Sequence, residues 1–556
     1  MAGVDPRDPL PPQPTPAQIA MRRARRRREE ALRRARLRRK RMLQTLLLCG
    51  VVAVVLVVTS GAGKGPSGLA AVLRHAGVGP GAGVPQHARG FDWVESFAGS
   101  PRSVADENRQ RGTGAWRLRG ARARGHIRGY VAEQSIRPGQ TQRVYVDAPR
   151  SRWIRIDVYR MGWYGGRGGR LVLSSHKLKP RRQHTCPRDQ QTGLVECNWR
   201  PSLSFAIPPG LTSGVYVVKM MSDTGAASDS MFVLEAATEA KPSRLLVQLS
   251  TATYEAYNSW GGDSLYPGGQ PVAVTGTTQG VEVSFHRPYK TRTGAGQLFS
   301  RDIAAIQFVE REGYDASYTT GPSVDTSPAQ TMGHKVLLDV GHSEYWSQGQ
   351  ADAFRRARDA GTNLAFLASN TMVWRVRYAG HRIVAYKEHA ASDPDRTKPT
   401  GLMPLAGAPI AGTAWQQCVT PRVAGSSGTT YHYYPWRPSA ALQPDWLFKD
   451  TGFTASSQVP GIVGYEPDRT TPASPPGTQI VGSGNTLCQA HGPLLGTGQS
   501  TLYTAPSGAL VFSSGTLGWQ LALSPVPDES PDVPRRPDPR LVKLTENLFE
   551  KMGARG

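Results

Sequence analysis

The chain has 556 residues, 39% of them apolar and 8% aromatic, enough to bury more than one core, which excludes a wholly disordered polypeptide. A formal charge of +25 ordinarily points to nucleic acid or an anionic surface, but 13 Arg and Lys against two Glu between Met21 and Met42 supply +11 of it. The charge is unevenly placed, and no nucleic-acid partner is expected.

Residues 1–41 read as a basic, Pro- and Arg-rich cytoplasmic tail without a core. Residues 42–62 carry no charge and include the apolar run Leu46 to Val58, and about 20 such residues suffice to cross a bilayer. With the arginines held inside, this predicts a single N-terminal transmembrane helix and localisation in the cell membrane, N-terminus cytoplasmic and everything beyond extracytoplasmic. A signal peptide cleaved near Ser60-Gly61-Ala62 is the competing reading, and the long basic preface favours the anchor. Residues 63–90 form a Gly/Pro linker.

Residues 91–237 hold short alternating segments, among them Gln142–Val146, Trp153–Val158 and Gly214–Lys219, separated by turn residues. They predict an antiparallel β-sandwich. Tyr164-Gly-Gly-Arg-Gly-Gly169 follows such a strand without a Lys-Ser/Thr or a helical pattern, so it reads as a turn rather than a phosphate loop.

After Ala237 strands and helices alternate: Arg244–Leu249, a helix from Arg301 to Glu312, Lys335–Val340, a helix from Gln348 to Ala360, Asn363–Leu367, Ala509–Ser513 and a closing helix from Pro539 to Met552. That alternation predicts an α/β domain over 238–556 with a mostly parallel sheet, similar to glutamine-amidotransferase folds. Of five cysteines, Cys49 falls in the apolar run, while Cys186, Cys197, Cys418 and Cys488 allow three disulfide pairings, with Cys186 and Cys197 the natural local pair.

Val340-Gly-His-Ser-Glu-Tyr-Trp346 ends an apolar strand with His342 and Glu344 two residues apart, where side chains project into the crevice beyond a parallel sheet. Alone, this H-x-E is equally a helix cap. Neighbouring runs decide the matter: Ile154–Gly166, Gln248–Asn258, Ser284–Tyr289, Gly341–Trp346, Asn363–Asn370, Pro460–Glu466 and Tyr503–Gly508 together resemble the large (β) subunit of N,N-dimethylformamidase, in its C-terminal domain family.

The resemblance implies an amide (C–N) hydrolase with a mononuclear ferric iron held by two tyrosines and one glutamate. Glu344 matches the glutamate, His342 and Asn370 match residues beside the metal, Tyr257 matches one tyrosine, and Tyr216 is the first choice for the second, with Tyr254 as fallback. The chemistry is coherent, since two phenolates and a carboxylate carry three negative charges and a trivalent cation drives phenol ionisation. The expected substrate is a small amide or an envelope-derived one, and a homo-oligomer is possible. A non-catalytic envelope-binding or scaffolding protein that keeps the fold is the alternative. No Gly-x-Ser-x-Gly elbow supports a serine hydrolase.

Overall fold

A computed structural model describes residues 87–88, 90–118, 126–238, 240–291, 293–403, 407–425, 428–489, 494–525 and 536–555. The tail, the 42–62 segment and the linker as far as residue 86 lie outside the described residues.

Ile154–Met161 alternates side chains between two apolar surfaces and becomes the central strand of a seven-stranded sheet. It pairs antiparallel with Gly169–Ser175 on one side and Gly214–Ser222 on the other. Facing this sheet is a three-stranded one, Arg128–Val131, Thr141–Asp147 and Leu203–Ala206, and Val144, Ile156, Val218 and Phe205 fill the space between. The other face of the seven-stranded sheet is also apolar. Tyr159, Met161, Val215 and Val217 join Leu245, Val247, Phe308 and Val309 in one core that runs into the rest of the protein.

Across that contact the buried Arg160 guanidinium meets Glu310 at 2.9 Å through two nitrogens, and Tyr318 donates to the same carboxylate at 2.7 Å. Each charge is thus paired and hydrogen-bonded, the condition under which buried ions persist.

Beyond it lies a nine-stranded sheet. Ala316–Thr320, Leu245–Leu249, Val336–His342, Asn363–Ser369 and Leu510–Ser513 run parallel in that order. Leu494–Thr504, Gln479–Cys488, Tyr433–Pro438 and Val459–Gly464 then continue the sheet antiparallel. Helix Gln348–Asp359 covers one face, started by Ser347, whose hydroxyl accepts from Gln350 N. Helix Pro539–Lys551 covers the other, opened by Asp538 and an N1 proline, with Leu541, Leu544 and Leu548 buried.

Two expectations are corrected by this architecture. The described chain is mostly strands with few helices, and the large sheet that follows the sandwich is parallel in four of its eight pairings, not the mostly parallel sheet of an α/β domain. The strands between 433 and 504 extend the sheet by hairpin pairing, which needs no crossover helix. Secondly, among the described residues no helix is long and apolar enough to cross a membrane. The longest has 13 residues, about 20 Å against the roughly 30 Å of a hydrocarbon core. No described helix supports the single N-terminal transmembrane helix or the cell-membrane localisation built on it, and the 42–62 segment itself lies outside the described residues.

Two disulfides are formed, Cys186–Cys197 and Cys418–Cys488.

Candidate functional site

Three neighbouring parallel strands deliver side chains to one crevice at their carboxyl ends. Leu245–Leu249 leads into the short helix Thr251–Ala256, whose C-cap is Tyr257. Val336–His342 ends in His342, two residues before Glu344, and Asn363–Ser369 is followed by Asn370. Register fixes the last two, because His342 lies opposite Ser369 in the parallel ladder. The glycine ahead of His342 is required: Gly341 has φ 80°, and a Cβ there would collide with Asp302 Oδ1.

His342 Nε2 lies 2.8 Å from Glu466 Oε2, 3.3 Å from Glu344 Oε2 and 3.2 Å from Asn370 Nδ2. Asn370 Nδ2 also donates to Glu466 at 2.8 Å, and its backbone N–H donates to Asp468 at 2.8 Å. His342, Glu344 and Glu466 offer ligand atoms that all lie within 4.8 Å of one another, and all three residues are buried. His342 Nδ1 and Asn370 Oδ1 have no hydrogen-bond partner. Buried polar atoms are normally satisfied, so two unsatisfied ones in one crevice mark a place for a ligand or water.

Tyr266 completes the cluster. Its hydroxyl donates to Glu344 at 2.8 Å to Oε1 and 3.1 Å to Oε2, and its ring lies 4.3 Å from that of Tyr257, whose side chain hydrogen-bonds to it. The Lys387 ammonium stands 3.6 Å from the Tyr266 ring centroid and donates to Leu265 O at 3.1 Å. Burial first, then the Glu344 charge, pushes both the Tyr257 and Tyr266 phenols well above their ordinary range. Burial also raises the Glu344 carboxyl, which the neighbouring Glu466 raises further and His342 and Lys387 oppose. A cation among these oxygens would reverse all three shifts.

Strain collects here. Asn370, Met372, Lys387 and Tyr465 all have positive φ without being glycine, a conformation that persists only where surrounding structure enforces it. The enforcement is visible in Thr253 Oγ1 accepting Glu344 N at 3.1 Å and in Met372 N donating to Ser343 O at 3.0 Å.

The predicted residues Tyr257, His342, Glu344 and Asn370 are therefore neighbours, but Tyr216 is not among them. Tyr216 stands in the sandwich core, donates to Thr212 O at 2.7 Å and stacks on Phe232 at 5.2 Å. The choice of Tyr216 is corrected on that ground: period-2 alternation turns it toward the sandwich interior, opposite Phe232 in the antiparallel register. The fallback Tyr254 points to Asp302. Sequence reasoning missed Tyr266, Glu466 and Lys387. Glu466 ends the quoted run Pro460–Glu466 and was recoverable from it; Tyr266 sits in a Gly- and Pro-rich loop without periodicity.

The profile of the family described as N,N-dimethylformamidase beta subunit-like, C-terminal, matches residues 155–532. The chain belongs to this family. All the crevice residues lie within the matched span. The N,N-dimethylformamidase beta subunit of Alcaligenes sp is 26% identical over 221 residues, 33% of this chain and 28% of that protein, so the similarity spans under a third of the relative's length. Among solved structures, a Paenibacillus sp. cycloisomaltooligosaccharide glucanotransferase complexed with cycloisomaltoheptaose shares 8% identity over 76% of this chain and 81% of its own, with a TM-score of 0.16. That value is too low to bear on the fold of the dimethylformamidase-like chain.

Proposed function

We propose that the protein is an iron-dependent amide hydrolase, with Tyr257, Tyr266 and Glu344 as the metal ligands. The observation that carries this reading is the Tyr266 hydroxyl set against both oxygens of Glu344, with Tyr257 alongside. Three hard oxygen donors with three potential negative charges suit a ferric ion, and the raised phenols and raised carboxyl describe a donor set short of positive charge. A bound ferric ion supplies Lewis-acid polarisation of an amide carbonyl and acidification of water.

The remaining work belongs to this chain's own side chains. His342, whose Nε2 donates to Glu466 and whose Nδ1 has no protein partner, takes at Nδ1 the proton lost by the attacking water and returns it to the departing amine nitrogen. Asn370 Oδ1, without a protein partner, accepts from a substrate N–H or from the water and so orients it. Glu466 holds both His342 and Asn370 and fixes their relative placement. The family membership and the similarity to the N,N-dimethylformamidase beta subunit support a small linear amide as substrate.

The test is metal analysis and absorption spectroscopy of protein produced with iron available, beside hydrolysis of a panel of small amides. The expected result is one iron per chain, a visible phenolate-to-iron band and amine release. Metal-free, colourless protein without turnover would reject the reading and leave a non-catalytic binding protein.

A further inference from the structure

The connection between strands Gly169–Ser175 and Leu203–Ala206 carries Lys179, Arg181, Arg182 and His184, and with Arg200 these line a cavity of about 490 Å³. All five are exposed, and among the described residues none of the four permanent cations takes part in an ion pair. The carboxylate under the loop, Asp147, accepts from Gln183 N but is paired with Arg128 at 2.9 Å, so it leaves the cavity's charge in place.

Like charges repel, and a free loop would spread them apart. This one is clamped. The Gln183 side chain donates to Val146 O at 3.1 Å and Arg200 O at 2.9 Å and accepts from Arg200 N at 3.0 Å. Trp199 Nε1 donates to His184 O at 2.8 Å, and Cys186–Cys197 closes the loop. The clamp holds Arg200 beside the 179–184 segment, and the entropy of gathering the cations is already met on folding. Cations left unpaired and gathered around a cavity are a feature that sign-mixed surfaces lack.

We propose that this cavity is a binding site for a compact multivalent phosphate, an oligophosphate chain. Guanidinium groups present N–H pairs matched to phosphate oxygens, and three arginines with a lysine call for a ligand of several charges. The site is distinct from the tyrosine–glutamate crevice and does not depend on its chemistry.

The experiment is peptide-resolved phenylglyoxal footprinting of the full chain with tripolyphosphate, which reads each arginine separately from the basic tail. Arg181, Arg182 and Arg200 are expected to become protected together with one saturable midpoint, and Arg182→Gln combined with Arg200→Gln to raise the Arg181 midpoint at least tenfold at unchanged melting temperature. Should that pair fail to fold, Lys179→Gln, outside the clamp, is expected to raise the midpoint about threefold. Protection no stronger than at exposed Arg437, a midpoint unmoved by these substitutions, or equal protection by citrate would each overturn the proposal.

Discussion

Tyr266 gives its hydroxyl to both oxygens of Glu344, 2.8 and 3.1 Å away, from a loop 78 positions earlier in the chain. If that pair is the heart of a metal site, Tyr266→Phe abolishes iron retention and the visible band while circular dichroism stays unchanged. Tyr216→Phe, deleting one buried hydrogen bond in the sandwich, keeps the iron and costs about 1 kcal/mol in denaturant unfolding. Metal analysis of the two variants separates the tyrosines.

Lys387→Met removes the ammonium 3.6 Å from the Tyr266 ring. Without the cation the phenolate electrons rise in energy, so the absorption band is expected to move to longer wavelength with iron still bound. The cation–π contact and charge lost amount to about 1–2 kcal/mol of stability. An unchanged spectrum would mean that Tyr266 is not the absorbing ligand.

Arg160→Met leaves Glu310 buried without its partner, and about 3–5 kcal/mol of stability should be lost. Replacing both, Arg160→Met with Glu310→Leu, is expected to recover much of that. Urea unfolding curves of the single and double variants measure the difference.

Burial alone would raise the Asp393 carboxyl, but the Arg377 guanidinium at 2.6 and 3.0 Å and the Thr400 N–H and hydroxyl hold it down at about 2. A depressed carboxyl stabilises the fold above its unfolded value and loses that contribution as pH falls toward the folded one. Stability should therefore drop by about 2 kcal/mol between pH 4 and 2, and Asp393→Asn should flatten that limb of the pH profile.

Cys418 and Cys488 close a separation of 70 residues and Cys186 and Cys197 one of 11. On chain entropy, replacing the first pair by serine costs about 4 kcal/mol and the second about 3. Thermal unfolding of the two double variants gives the order.

The legible part of the site lay where a strand meets its end. Val336–His342 is apolar but for Asp339 as far as Gly341, so His342 and Glu344 stand out, and Asn370 follows the next strand in the same way. Tyr266 has no such frame, because its loop is placed by tertiary contacts such as Lys387 to Leu265 O. Tyr216 shows the limit of alternation: a strand with two apolar sides offers an aromatic to either, and only the partner strand decides which. The same blindness hid the hairpin strands between 433 and 504, where Gly and Pro interrupt every apolar run. The membrane expectation rested on residues 42–62 alone, and no described helix supports it.

Because the outer face of the seven-stranded sheet is taken up in the core shared with Leu245, Val247 and Phe308, that sheet has no broad flat surface left to offer a visitor. Recognition by that sheet is confined to its rims and connecting loops. These can drift in sequence without disturbing either interior, so relatives that share the crevice are free to differ in what they hold at the periphery.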